Sequence, residues 1–136
     1  MYRVSREIYF CYGHRLLNYD GKCRYLHGHN GKAVITLEAA ALDSRGMVLD
    51  FGEIKRVIQG WIDTHLDHKM ILHRDDPIVP YLRQLGEPFY LLDVNPTAEN
   101  IARLIYEYAR QEGFPVVSVS LWETESCYAT YTPESR

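Results

Sequence analysis

The segment Cys23-Arg24-Tyr25-Leu26-His27-Gly28-His29 constrains this chain more than any other. In an extended strand, residues i and i+2 point to the same face, so His27 and His29 can offer both imidazoles to one ion. Gly28 between them removes the side chain that would crowd the backbone. Neutral imidazole is the commonest protein ligand for zinc, and three such ligands leave a fourth position for substrate. Two surface histidines beside a turn would give the same short motif. A third ligand, delivered by a neighbouring strand, is what the rest of the chain has to supply.

The bulk properties bound the alternatives. At 136 residues and 15.9 kDa, a single domain over residues 1–136 buries an adequate core without staples. A hydrophobic content of 46% and a charged content of 24% are those of a soluble globular protein. The net charge of -3 and the scattered basic residues predict no nucleic-acid partner. Met1 to Glu7 carries no apolar core of signal-peptide length, and no later run would span a membrane, so a cytoplasmic protein without a membrane partner is expected. Cys11, Cys23 and Cys127 are odd in number and irregular in spacing, which fits a reducing compartment rather than a disulfide framework. The lack of any CxxC pair excludes a four-cysteine zinc site and the zinc deaminase pattern.

Along the chain, residues 3–10 alternate and predict a first strand, and Cys11-Tyr12-Gly13-His14 leads into a polar loop turned at Asp20-Gly21. His27 to Glu38 predicts a second strand, and antiparallel pairing of the two carries His14 back beside His27 and His29. Met47-Val48-Leu49-Asp50 reads as a short strand. Asp50 with Glu53 resembles a capping box, and Ile54, Val57, Ile58, Trp61, Ile62 and Leu66 predict a helix over 51–65. Residues 69–76 read as loop, Pro77 to Leu85 as a short helix stopped by Gly86, and Phe89 to Leu92 as a strand. Thr97 opens a second long helix that Gly113 ends, before strands at 116–122 and 127–131. Strands grouped in hairpins predict an α+β domain, an antiparallel sheet with helices on one face. Its open edges and open face call for oligomer formation.

Several residues carry chemistry. His14 completes a three-nitrogen set with His27 and His29, unless it is merely packed at a strand end; His65, His68 and His73 form a competing set. Cys23, read as a fourth ligand, closes the site. Left free beside a cation, it becomes a low-pKa base or nucleophile, and buried it is an inert thiol. Asp67-His68 offers a carboxylate beside an imidazole, able to poise a thiol or relay a proton, or an ordinary polar helix end. Glu123 closes an apolar strand, and a carboxylate there accepts two parallel hydrogen bonds from a guanidine-like edge, or is solvated.

These pieces together resemble the 6-pyruvoyl- and 6-carboxy-tetrahydropterin synthase superfamily. The resemblance runs over nearly the whole chain. It rests on Phe10 to His14 with Arg15-Leu16, Cys23-x-x-x-His27-Gly28-His29-Asn30, Gly46 to Phe51, Leu66-Asp67-His68, Pro96-Thr97-Ala98-Glu99-Asn100 and Glu123-Thr124. The three residues between Cys23 and His27, and the Pro-Thr-Ala-Glu-Asn block, are similar to the bacterial queuosine-pathway branch.

The resemblance implies the tunnelling fold, in which subunits join their sheets into a barrel, expected here as a hexamer or related homo-oligomer with active sites between subunits. It implies Zn2+ on His14, His27 and His29. Cys23 would be the catalytic thiol assisted by Asp67 and His68, and Glu123 the pterin anchor with Thr97 nearby. The implied reaction takes 7,8-dihydroneopterin triphosphate to 6-carboxy-5,6,7,8-tetrahydropterin, acetaldehyde and triphosphate. Lys22, Arg24 and Lys32 are candidates for the anionic tail. Two departures lie near the site: Cys11-Tyr12-Gly13 replaces small residues before His14, and Gly31 stands where an aromatic often follows His-Gly-His-Asn.

Overall fold

A computed structural model of the protein describes residues 1–134. Six strands, β1 (Tyr2–His14), β2 (His27–Ala39), β3 (Lys69–His73), β4 (Phe89–Leu92), β5 (Val116–Trp122) and β6 (Tyr128–Tyr131), form one sheet in the order β4-β3-β1-β2-β5-β6. β1, β2, β5 and β6 pair antiparallel, as the hairpin pattern predicts. The sheet as a whole is mixed rather than antiparallel, because β3 adds parallel to β1 and β4 parallel to β3.

β3 falls where the sequence reads as loop. Its two central residues, Ile71 and Leu72, are fully buried, and a short strand buried on both faces loses the alternation that marks a half-exposed one. Met47 to Asp50, by contrast, is not a strand. Val48 and Leu49 pack their side chains against the core instead.

The helices cover one face. Helix α1 runs over residues 51–65, α-helical at Phe51–Glu53, π-helical at Ile54–Gln59 and α-helical again at Gly60–His65. Asp50 caps it through the N–H of Gly52, at 2.8 Å, while Glu53 pairs with Arg56 and leaves the predicted capping box half made. Helix α2 is Val79–Leu85, closed by Gly86 at φ 74°. Helix α3 is Ala98–Gln111, capped by Thr97, whose hydroxyl accepts the N–H of Asn100.

Ile54, Ile58 and Ile62 from α1 and Ile101, Ala102 and Ile105 from α3 bury themselves against Ile8, Phe10, Ala33, Ile35 and Leu37 of the sheet. Their inward parity is the one that places Tyr12, His14, His27 and His29 on the helix-covered side at the far end of β1 and β2.

Candidate active site

β1 runs four residues further than its alternating stretch, so His14 lies directly opposite His27 in the antiparallel register, with Tyr12 opposite His29. The three imidazoles close into a cluster with ring centroids 4.5–5.1 Å apart. One ligand atom from each lies within 4.8 Å of the others. Gly28 earns its place: a Cβ there would stand 3.1 Å from the Tyr12 carbonyl oxygen across the ladder.

Each outer imidazole is oriented by backbone. His14 Nδ1 donates to the Pro96 carbonyl and His27 Nδ1 to the Tyr25 carbonyl, both at 2.7 Å. A carbonyl only accepts, so Nδ1 of each ring carries a proton, and in the neutral ring Nε2 carries the lone pair. Burial above all, with His27 and His29 assisting and the Pro96 carbonyl opposing, lowers the pKa of His14 to about 4. Burial also lowers that of His29, with Glu123 opposing and His27 assisting. His14 is therefore neutral at physiological pH, the form that ligates metal.

His14 Nε2 stands 3.1 Å from His29 Nε2, and Glu123 Oε2 stands 2.8 Å from His29 Nε2 and 3.6 Å from His14 Nε2. Electron-rich atoms converging on one point need a cation or a shared proton between them. A three-nitrogen donor set with a carboxylate at its edge fits a divalent ion of zinc type, with a position left open. Sequence reasoning gave Glu123 as a pterin anchor; its contact with two of the three imidazoles is visible only in the fold.

A second cluster sits on the opposite side of β1. Asp67 accepts the Cys11 backbone N–H at 3.0 Å, and His68 Nδ1 donates to its other oxygen at 2.8 Å. Burial pushes Asp67 up, but His68 and the Cys11 N–H outweigh it, so the carboxyl stays below its ordinary range. His68 adopts a left-handed backbone, φ 59°, and its N–H meets the Cys11 carbonyl at 2.7 Å, which turns the chain from α1 into β3. The thiol this brings within 4.8 Å of the dyad is that of Cys11. Cys23 lies on the 3-10 turn Lys22–Arg24, half-buried, its carbonyl accepting the Leu16 N–H at 2.9 Å, and its sulfur joins neither cluster among the described residues. One cleft of about 650 Å³ is lined by Cys11, His27, His29 and His68 and so links the two clusters.

Of the other predicted residues, Thr97 spends its hydroxyl oxygen on the α3 cap, next to the Pro96 carbonyl that holds His14. Arg24 pairs with Asp20, and Lys32 pairs with Glu7 and lies over the Trp122 ring. His65 and His73 stay out of both clusters. Three supports had no role assigned from the sequence. Asn95 clamps Leu17 through both its backbone groups, at 2.8 and 2.9 Å, and Asn100 holds the Asn95 carbonyl. Arg15 forks onto the buried Asp76 at 2.8 and 2.5 Å. Tyr12 fills the space behind His14 and His29; burial, and the charge of Glu123, hold its phenol far above the ordinary range, and its hydroxyl is buried without a partner among the described residues. An unmet buried hydroxyl costs about 1–3 kcal/mol.

Comparison with known proteins places this arrangement. The family model described as 6-pyruvoyl tetrahydropterin synthase matches residues 3–134. The chain belongs to this family. A 6-carboxy-5,6,7,8-tetrahydropterin synthase of Rickettsia typhi is 38% identical over 135 residues, covering 94% of this chain and 98% of that protein. A protein of the same name from Haemophilus influenzae is 31% identical, covering 96% and 99%. Among solved structures, an uncharacterised protein from Wolinella succinogenes matches with a TM-score of 0.82 at 29% identity over 98% of both chains. The 6-pyruvoyl tetrahydropterin synthase of Caenorhabditis elegans, at 23% identity and TM-score 0.73 over 98% and 96%, shares the fold. The pterin synthase family is thus shown by sequence, and its tunnelling fold by structure. No helix among the described residues is long and apolar enough to cross a membrane.

Proposed function

We propose that this chain is a zinc-dependent 6-carboxy-5,6,7,8-tetrahydropterin synthase of the queuosine pathway, converting 7,8-dihydroneopterin triphosphate and water to 6-carboxy-tetrahydropterin, acetaldehyde and triphosphate. The observation that carries the reading is the three-imidazole cluster beside a cleft that also reaches His68 of the carboxylate–imidazole dyad. The names of relatives at 38% identity over nearly the whole chain support the choice of reaction.

His14, His27 and His29 would hold Zn2+, which when bound supplies Lewis acidity at the hydroxyls of the substrate side chain. Glu123, beside that set, accepts hydrogen bonds from the amino-pyrimidine edge of the pterin and so fixes the ring against it. Thr97 keeps its hydroxyl proton while its oxygen caps α3, and offers that proton to the substrate. Cys23 removes a side-chain proton as the thiolate, and Asp67 holds His68 ready to take that proton on. Asp67 meets His68 through Nδ1, which leaves Nε2 as the exchanging nitrogen.

Cys23 and the dyad do not meet within one chain, so the reading assigns their encounter to an interface in a homo-oligomer, with a hexamer as the expected assembly. The same reading makes the protein a cytoplasmic enzyme acting on a small molecule.

The test is incubation of the zinc-loaded protein with 7,8-dihydroneopterin triphosphate. Acetaldehyde, triphosphate and 6-carboxy-tetrahydropterin in equal amounts are expected. Triphosphate without acetaldehyde would show that the three-carbon side chain is retained and the pyruvoyl-type reaction is run. No turnover by protein carrying one metal per chain would leave a zinc- and pterin-binding module.

A further inference from the structure

Among the described residues, one group of metal-ligating side chains comes together besides the three histidines. It joins the thiol of Cys11, a carboxylate oxygen of Asp67 and a ring nitrogen of His68, each within 4.8 Å of the others. The proposed reaction uses the dyad and leaves this thiol idle. Backbone fixes the group: Asp67 accepts the Cys11 N–H at 3.0 Å, and the Cys11 carbonyl accepts the His68 N–H at 2.7 Å. Parallel pairing of Tyr12 with Lys69 begins at the next residue of each segment and holds that register. Cys11 is a free, half-buried thiol, and it lines the same cleft of about 650 Å³ as His68. Thiolate, imidazole and carboxylate make a donor set of zinc type, with bonds of about 2.0–2.3 Å to the ion. Ligand atoms on such an ion stand roughly 3.5 Å apart, so a group spread over 4.8 Å closes with a shift of about 1 Å. His68 supplies that shift, because its side chain is 78% exposed and is held by the single hydrogen bond of Nδ1 to Asp67. Two features make this site weaker than the three-histidine set. The hydrogen bond is given up when the imidazole turns to the ion, and the charge of Lys69, which acts on Asp67, opposes a cation.

We propose that Cys11, Asp67 and His68 form a second, weaker site for a thiophilic divalent cation such as Zn2+, filled after the three histidines, and that an ion held there silences the reaction. Binding breaks the S–H bond of Cys11, releases the proton to solvent and leaves the sulfur as a thiolate on the metal. It also occupies Asp67 and His68, so the dyad no longer takes a proton from Cys23. The silencing rests on the reaction proposed above, and the site does not.

The site is tested by titrating metal-free protein with Co(II) in the absence of air. Co(II) held by imidazole and carboxylate shows visible bands alone, whereas a Co(II)–thiolate bond adds an intense sulfur-to-metal charge-transfer band in the near ultraviolet. That band is expected with the second equivalent in the wild type and with the first in His27→Ala. It is expected to vanish in Cys11→Ser and to persist in Cys23→Ser, with the visible bands of the first ion unchanged in both. Absence of the band from saturated wild type, its survival in Cys11→Ser, or its loss in Cys23→Ser or His27→Ala overturns the site. The silencing is read from turnover of 7,8-dihydroneopterin triphosphate at rising free Zn2+. Proton transfer by a positioned group is worth roughly 100- to 10,000-fold, so filling the second site is expected to slow the wild type at least about tenfold. Cys11→Ser is expected to keep most of its own rate over the same range. Equal inhibition of both proteins, or none in the wild type, overturns the silencing. If protein carrying one zinc per chain turns nothing over, the proposed reaction has failed and the charge-transfer band alone decides on the site.

Discussion

Replacing Asn95 by alanine tests whether the loop before α3 holds His14 in place. The side chain makes two hydrogen bonds with the backbone of Leu17, accepting its N–H at 2.8 Å and donating to its carbonyl at 2.9 Å. At about 1 kcal/mol each, their loss lowers unfolding free energy by roughly 2 kcal/mol. The backbone bonds of Asn95 itself, from Thr97 N–H and the Asn100 amide, survive the change. What loosens is the span between Leu17 and Pro96, and the Pro96 carbonyl is the partner of His14 Nδ1 at 2.7 Å. Loss of a group that orients a metal-bound histidine costs roughly 10–100-fold in affinity. Asn95 acts one bond further out, so the expected loss is at the lower end, about tenfold or 1.4 kcal/mol. Zinc affinity is read by competition with a chromophoric chelator, and stability by urea unfolding of the metal-free protein. Ile105→Val, in the core under α3, is the control, because it costs about 1 kcal/mol without touching the loop. Asn95→Ala protein that is destabilised by about 2 kcal/mol yet binds zinc within threefold of wild type would refute the reasoning.

Other changes probe separate parts of the site. His27→Ala removes one nitrogen of three and is expected to abolish stoichiometric zinc by elemental analysis, while the circular dichroism of the sheet persists. Cys23→Ala is expected to keep zinc and lose turnover; loss of zinc would instead make the thiol a ligand. Cys11→Ala is expected to keep both zinc and at least a tenth of the turnover, since Asp67 is held by the Cys11 N–H rather than by its sulfur; turnover as low as in Cys23→Ala would make Cys11 the working thiol. Asp76→Asn breaks the fork with Arg15 while keeping an acceptor for the Ile78 N–H, and should cost about 2–3 kcal/mol at pH 7, less than a fully buried pair because Arg15 is partly exposed. Burial pushes Asp76 up, but Arg15 and the Ile78 N–H outweigh it and hold it below the ordinary carboxyl value. Its contribution is therefore present above about pH 4 and fades as pH falls through the lowered value, so the gap between Asp76→Asn and wild type in urea unfolding should close in acid.

What could be read in the chain, and what could not, divides by the distance over which each constraint acts. The helices over 51–65 and from Thr97 onward are written in local spacing and caps, and the fold returns both. His27-Gly28-His29 is equally local, and its one long-range requirement, a third histidine, was met by a strand whose register needed only the hairpin. β3 was missed because a five-residue strand whose buried residues, Ile71 and Leu72, are consecutive carries no period to read. The place of Cys11 beside Asp67 and His68 depends on a left-handed turn at His68, a residue that gives no warning of positive φ as glycine would.

In the sequence, the departures at Tyr12 and Gly31 stand as two separate features near the site. In the sheet they are diagonal neighbours sharing one volume, so the aromatic ring missing from β2 is supplied by β1. A hydrophobic count would score that exchange as neutral. It is not neutral chemically, because the ring that crossed over is a phenol: it packs against His14 and His29, and its hydroxyl is buried without a partner among the described residues.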